Sequence, residues 1–203
     1  MNRRQSPRSG NLRRAVAQEA ARVMSEQGIH DFLTAKRKAA ERFGITDEAV
    51  LPRNIEIEAA LVEYQRLFAA DTHQVTLKAQ REAALRAMQW FAPFEPRLVG
   101  PVLSGTATAH ADVQLHLFAE RAETVAIQLL DRGIEHEVTE RRLRLDAARF
   151  RAYPGLRFEL ARQMIEVTVF PPDGIRQAPV SPVDGRPMRR ADTAELEQLV
   201  AGI

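Results

Sequence analysis

Residues 98–118 read LVGPVLSGTATAHADVQLHLF, and the fold turns on how this stretch is parsed. The apolar run of PRLVGPV reads as a short buried strand, and DVQLHLF reads as a second strand with a period of two. Residues i, i+2 and i+4 of a strand share a face. Asp112, Gln114 and His116 should therefore look into a cleft while Val113, Leu115 and Leu117 enter a core. Between the strands, Ser104, Gly105 and Thr106 form a turn, where a glycine permits close approach of the backbone to a ligand.

Downstream the mixed pattern continues. AETVAIQLLDRG is a helix stopped by Gly133, and EHEVTERRLRL, LRFELA and MIEVTVF are three further strands. The last two are close enough for a hairpin across Arg162 and Gln163. In MIEVTVF, Glu166 and Thr168 alternate with Ile165, Val167 and Val169, which gives one polar and one apolar face. After PPDG, the segment IRQAPVSPVDGRPMRR is rich in proline and glycine and should be a surface loop. Asp192 caps a final helix, TAELEQLV, with Glu195 in the capping-box position.

Upstream the apolar residues recur at helical spacing, so four helices are expected. The first runs from Leu12 to Glu26 with Val16, Ala20 and Val23 inward. The second runs from Asp31, its cap, to Phe43 and presents Leu33, Ala40 and Phe43. The third opens after Pro52 and Asn54 and carries Ile57, Leu61, Tyr64 and Phe68. The fourth spans Val75 to Phe91, with Leu77, Ala84, Leu85, Met88 and Trp90 as its stripe. Pro93 and Pro96 break the pattern. The reading is an α+β chain: residues 1–10 a disordered basic tail, 11–92 a helical domain, and 93–203 a mixed sheet flanked by helices, with a Pro-rich C-terminal wrap and a final helix. Arg3, Arg4, Arg8, Arg13 and Arg14 give the start of the chain its charge.

The chain of 203 residues is 45% hydrophobic and 28% charged, ordinary for a globular protein with a sizeable core. It has no cysteine, which excludes disulfides, thiolate metal sites and a Cys nucleophile. No apolar run approaches the roughly 18–20 residues that span a bilayer, and no apolar segment follows the basic start as a secretory signal would. A cytoplasmic protein with no membrane association is expected. Net charge is +2, and lysine occurs only at Lys36, Lys38 and Lys78, so the basic residues are mostly arginine, which binds phosphate bidentately. The five histidines show no H-E-x-x-H spacing, and no G-x-S-x-G elbow occurs.

Val99 and Gly100, followed at the appropriate distance by Asp112, Val113, Gln114 and Leu115, resemble the signature of the nucleotidyltransferase superfamily with a DNA polymerase beta-like fold. That signature is a hydrophobic residue, Gly, and Gly or Ser, then acid, hydrophobic, acid, hydrophobic, with a third acid on a later strand. The resemblance implies a nucleotidyltransferase-like sheet over most of residues 93–170. It also implies Asp112 and Glu166 as catalytic and Mg²⁺-binding acids. Gly100, Ser104, Gly105, Thr106, Gln114 and His116 would then lie beside a nucleoside triphosphate. Two departures bear on the reaction. Gln114 stands where the second acid belongs and brings no negative charge, and Pro101 has no N–H to give a phosphate. Two-metal nucleotidyl transfer needs oxygen ligands with enough charge to hold both ions, so a reduced metal site is expected. The protein would bind a nucleotide or nucleic acid without running the standard reaction. Two alternatives stay open: an active transferase using Mg and NTP with Glu159 or Glu137 as a further acid, and a non-catalytic adaptor with a protein partner on the helical domain.

The segments AKRKAAERFGI, LPRNIEIEAALVEYQRLF, GPVLSGTA and GRPMRRA also resemble a proteobacterial family, some members of which carry the label UDP-N-acetylmuramate–alanine ligase. That activity implies an ATP-binding P-loop, and no G-x-x-x-x-G-K-[ST] occurs in the chain.

Overall fold

A computed structural model describes residues 7–146 and 148–202. Its described residues form seven α-helices and one five-stranded mixed sheet, so the chain is a mixed α and β protein. No described helix is long and apolar enough to cross a membrane. The chain divides into two compact units. The first is residues up to His73 with Pro182–Asp184, and the second is Gln74–Ser181 with Gly185–Ile203.

In the first unit, α1 (Pro7–Gln27) packs against α2 (Phe32–Arg42) and α3 (Asn54–Phe68). The helix starts earlier than the expected tail allows, because residues 7–10 already belong to α1; Arg3 and Arg4 lie outside the described residues. Arg13 is not a solvated tail cation but pairs with Glu56 at 3.1 Å. Asp31 caps α2 by accepting from the Thr34 N–H at 2.7 Å. The core is small-residue packing around Val16, Ala17, Ala20, Met24, Ala35, Ala39 and Ile57. Leu33, Phe43 and Phe68, expected inside, are exposed. The alanines of α2 bring its backbone close to α1 and leave no room for the larger side chains, so Ala35 and Ala39 take the inward positions. Phe43 and Phe68 instead line an apolar groove of about 460 Å³ with Ala60 and Leu67.

In the second unit the sheet order is β1-β2-β5-β4-β3, from β1 (Arg97–Val99), β2 (Val113–Phe118), β3 (Glu137–Arg144), β4 (Phe150–Leu160) and β5 (Gln163–Phe170). β2 and β5 are parallel at its centre and every other pair is antiparallel. PRLVGPV is not one strand: β1 ends at Val99 and Gly100–Ser104 form the short helix α5, entered through Gly100 at φ +71°. Proline at the first turn suits a helix, where its missing N–H would be unpaired in any case. LRFELA is only the end of an eleven-residue strand. β4 runs through Pro154 because its pairing with β5 stops at Gly155, while β3 continues alongside to Phe150. A proline is tolerated where one side of a strand has no partner.

One face of the sheet carries Val113, Leu115, Leu117, Leu156, Phe158, Ile165 and Val167, all buried. They pack with Ala84 and Met88 of α4 (Ala70–Trp90), Val125 and Leu129 of α6 (Ala122–Leu130), and Leu196 of α7 (Thr193–Ala201). Asp192 caps α7 through the Glu195 N–H at 2.9 Å. Glu195 does not close a capping box; its side chain pairs with Arg189. The Pro-rich wrap pairs Ala191 with Leu98 through two backbone hydrogen bonds of 2.8 and 2.9 Å, which extends the sheet edge at β1. The other face carries the polar residues.

Candidate functional site

Strand register lays a row of polar residues across four strands: Gln114 beside Glu166, Glu166 beside Arg157, and Arg157 beside Glu137. Asp112, just before β2, lies alongside the row, two residues from Gln114 along the chain. Parallel pairing of β2 with β5 brings these residues together from distant parts of the chain. Arg157 donates through Nε to Asp112 Oδ2 at 3.1 Å, and its Nη1 stands 4.0 Å from Glu137. Arg141 on β3 pairs with Glu166 at 3.0 Å. Each of the two expected catalytic acids thus holds an arginine.

Burial pushes the Glu166 carboxyl above its ordinary pKa. The charge of Asp112 pushes it further, against the opposing pull of Arg141 and Arg157. Arg157 is raised, chiefly by its hydrogen bond to Asp112. Beyond this row a cavity of about 300 Å³ opens between Ala109–Asp112 and the hairpin end of β4 and β5, lined by Arg157, Glu159, Arg162 and Met164.

The remaining expected residues fall into two other places. Gln114 folds against Gly100: a Cβ at Gly100 would lie 2.5 Å from Gln114 Oε1. The Gln114 amide is therefore lodged against the backbone of α5. Gly105 caps α5 at φ +82°, and the Ser104 and Thr106 hydroxyls are 2.9 Å apart. His116 does not face a cleft. It is 3% exposed, stacks on Phe170, and accepts a hydrogen bond from Arg190 Nε at 3.1 Å. Arg190 itself lies over Phe118 and Phe170 and donates to the Gly174 and Ile175 carbonyls. Aromatic residues Phe118, Tyr153 and Phe170 fill this end of the face, so strand alternation, which makes no distinction between the two ends, placed His116 with the polar residues. Burial, with the charges of Arg190 and Arg141, lowers the His116 pKa to about 3.

Among the described residues, no three His, Asp or Glu side chains gather where they would ligate one ion. With Asp112 and Glu166 engaged by arginines and Gln114 turned to Gly100, the donor set as arranged does not fit a pair of divalent cations. No protein-family model, curated protein or solved structure matches the chain. The site rests on its own geometry.

Arg157 and Arg141 are the site residues that sequence patterning does not single out. Arg157 occupies the same alternating pattern in LRFELA that made Glu166 conspicuous in MIEVTVF, and this was the available signal. Arg141, in TERRLRL, gave none.

Proposed function

We propose that the protein binds a nucleotide, or the phosphate-bearing strand of a nucleic acid, on a nucleotidyltransferase-like sheet where arginines take the place of metal ions. The observation that carries this reading is the pairing of Asp112 with Arg157 and of Glu166 with Arg141. In each pair the arginine side chain is 39–40% exposed, against 25% and 11% for the acids, so the cations are the groups a ligand meets first. Arg162 joins Arg157 as a second arginine on the cavity wall. Guanidinium groups bind phosphate oxygens bidentately and need no divalent ion to do so.

Titration calorimetry with ATP, GTP and a short single-stranded RNA, in EDTA and in Mg²⁺, tests the proposal. Binding in EDTA is expected, and Arg157→Ala should weaken it about tenfold, the scale of one charge-assisted contact. Absence of binding by all three ligands in both buffers would overturn the proposal.

A second reading, an active transferase, is supported by Asp112 lying close enough to Glu166 for its charge to raise that carboxyl. Incubation with labelled nucleoside triphosphate, Mg²⁺ and cell extract would then label a product, and Asp112→Asn would abolish the labelling. Labelling that survives in this variant removes Asp112 from any such reaction.

A further inference from the structure

We propose that the β3–β4 hairpin carries a binding surface for a single-stranded nucleic acid, with Phe150 as a stacking platform for a base and Arg142 and Arg144 as partners for its phosphates. The surface is separate from the Asp112–Glu166 row, because strand alternation turns Arg142, Arg144 and Phe150 to the opposite face of the sheet. It shares the phosphate chemistry of the sheet-face reading and does not depend on it. Residues 141–151 read RRLRLDAARFR, five arginines against one acid, whereas the whole chain carries only +2. Arg141 is taken by Glu166 and Arg149 by Asp146. Among the described residues, no carboxylate pairs with Arg142, Arg144 or Arg151. Unpaired positive charge is concentrated on this hairpin, and a polyanion is its complement.

Strand register sets the geometry. Arg144 lies directly opposite Phe150 and Arg142 opposite Ala152, so the two arginines and the ring form one cluster on the pleat. Arg142 and Arg144 are two residues apart, roughly 7 Å along the strand, which lets each meet a different phosphate of an extended chain. The Pro-rich wrap supports this end of β3: the Val180 N–H donates to the Arg144 carbonyl at 2.7 Å, and a Cβ at Gly185 would come 3.8 Å from Arg144 Nη2. The Arg142 guanidinium lies over the Phe150 ring, with Cζ 5.2 Å from the centroid, yet the ring is still 54% exposed. The helices that bury Leu156 and Phe158 on this face leave Phe150 and Ala152 uncovered. Every base has a π-face, so an exposed aromatic ring binds single strands with little regard to sequence, and arginine adds cation–π and phosphate contacts. A duplex hides its base faces, so a single strand is the polymer this surface fits. Exposed Glu140, on the same face, ends the basic track. β3 is also the edge strand of the sheet, and charged side chains on an edge discourage pairing with another chain. That role accounts for the arginines and not for the exposed ring among them.

Fluorescence anisotropy on the full chain in EDTA, over a series of salt concentrations, tests the surface with a short labelled oligonucleotide of mixed sequence. The same strand annealed to its complement, and polyglutamate as an acidic polypeptide, are the comparisons. The single strand is expected to bind most tightly. Phe150→Leu keeps an apolar side chain and removes the π-face, so it should weaken single-strand binding about tenfold with an unchanged salt slope. Phe150→Trp should retain the binding. Arg142→Gln should weaken it and reduce the slope of log affinity against log salt by about 0.7, the value of one phosphate contact on a single strand. The proposal is overturned if the wild type binds no single strand, if duplex or polyglutamate binds equally well, or if Phe150→Leu binds as wild type does. It is overturned equally if Arg142→Gln leaves binding unchanged and makes the protein self-associate, the result expected of an arginine that only guards the edge. Arg157→Ala separates the two faces of the sheet. Weakening by Arg157→Ala alone overturns the hairpin surface and leaves the sheet-face reading standing, whereas weakening by Phe150→Leu alone sustains the hairpin surface and takes the strand away from the sheet face.

Discussion

His116 stands where the polar part of the open sheet face gives way to the aromatic part, and its neutral ring is what Arg190 requires as an acceptor. The folded pKa of about 3 lies below the ordinary 6.5. Between these values the unfolded chain binds a proton that the folded protein does not, so stability is complete above pH 6.5 and is lost as pH falls toward 3. The loss should approach about 1 kcal/mol for each pH unit in that window. Urea unfolding of wild type and His116→Asn at pH 7, 5.5 and 4 checks this: the variant keeps an acceptor oxygen and should show a shallower decline. Equal slopes would place the proton elsewhere. Glu166 is the converse case. Its raised pKa means that the ionised carboxylate is disfavoured by folding, so at pH 7 Glu166→Gln should raise the urea midpoint. Arg141, left behind, is 40% exposed and remains solvated. A drop in the urea midpoint would show that the ion pair outweighs desolvation. A stabilising substitution at a site residue is the pattern of a position kept for function.

At the scale of elements, the β4–β5 hairpin closes through Ala161 and Arg162, at φ +52° and +63°. Leu160 pairs with Gln163, so the connection is a two-residue turn with both central residues left-handed, the geometry that favours Asn and Gly. Ala161→Asn should raise the stability of the hairpin by about 0.5 kcal/mol, read as a shift in the urea midpoint. Gly155 poses the opposite constraint. A Cβ there would lie 2.6 Å from Thr139 Oγ1 and 2.7 Å from the Val167 carbonyl oxygen. Gly155→Ala must push β3 or β5 away and should cost about 1–3 kcal/mol. An unchanged midpoint would mean that Thr139 rotates aside and that the β5 backbone at Val167 yields without cost. The row displaced lies between Tyr153 and Arg157, so the same variant is expected to disturb the Arg141–Glu166 pair.

For the whole molecule, the two units have unequal cores. The first is packed mainly by alanines, with Val16, Met24 and Ile57. The second buries Phe91, Phe158, Met88 and a sheet face of leucine, isoleucine and valine. Larger apolar side chains remove more surface from water, so the first unit should unfold at lower denaturant. The single tryptophan, Trp90, packs against the second core. Its fluorescence should therefore change at higher urea than the far-UV circular dichroism, to which the helices of the first unit contribute. Coincident transitions would show one cooperative unit.

The sequence by itself determined what depends on neighbours along the chain. Strand alternation placed Asp112 and Gln114 on one face and Val113 and Leu115 on the other, and Asp31 and Asp192 marked helix starts, because backbone sterics and capping act over a few residues. Only the tertiary structure decided which cations meet those acids. Arg157 lies 45 residues from Asp112, and Arg190 lies 74 from His116. Those contacts follow from the order in which the strands pair, a choice made by non-local burial. Non-local packing likewise left Phe43 and Phe68 exposed in the helical unit and buried His116 in the sheet, since a helical or alternating pattern specifies a face and leaves open what will cover it.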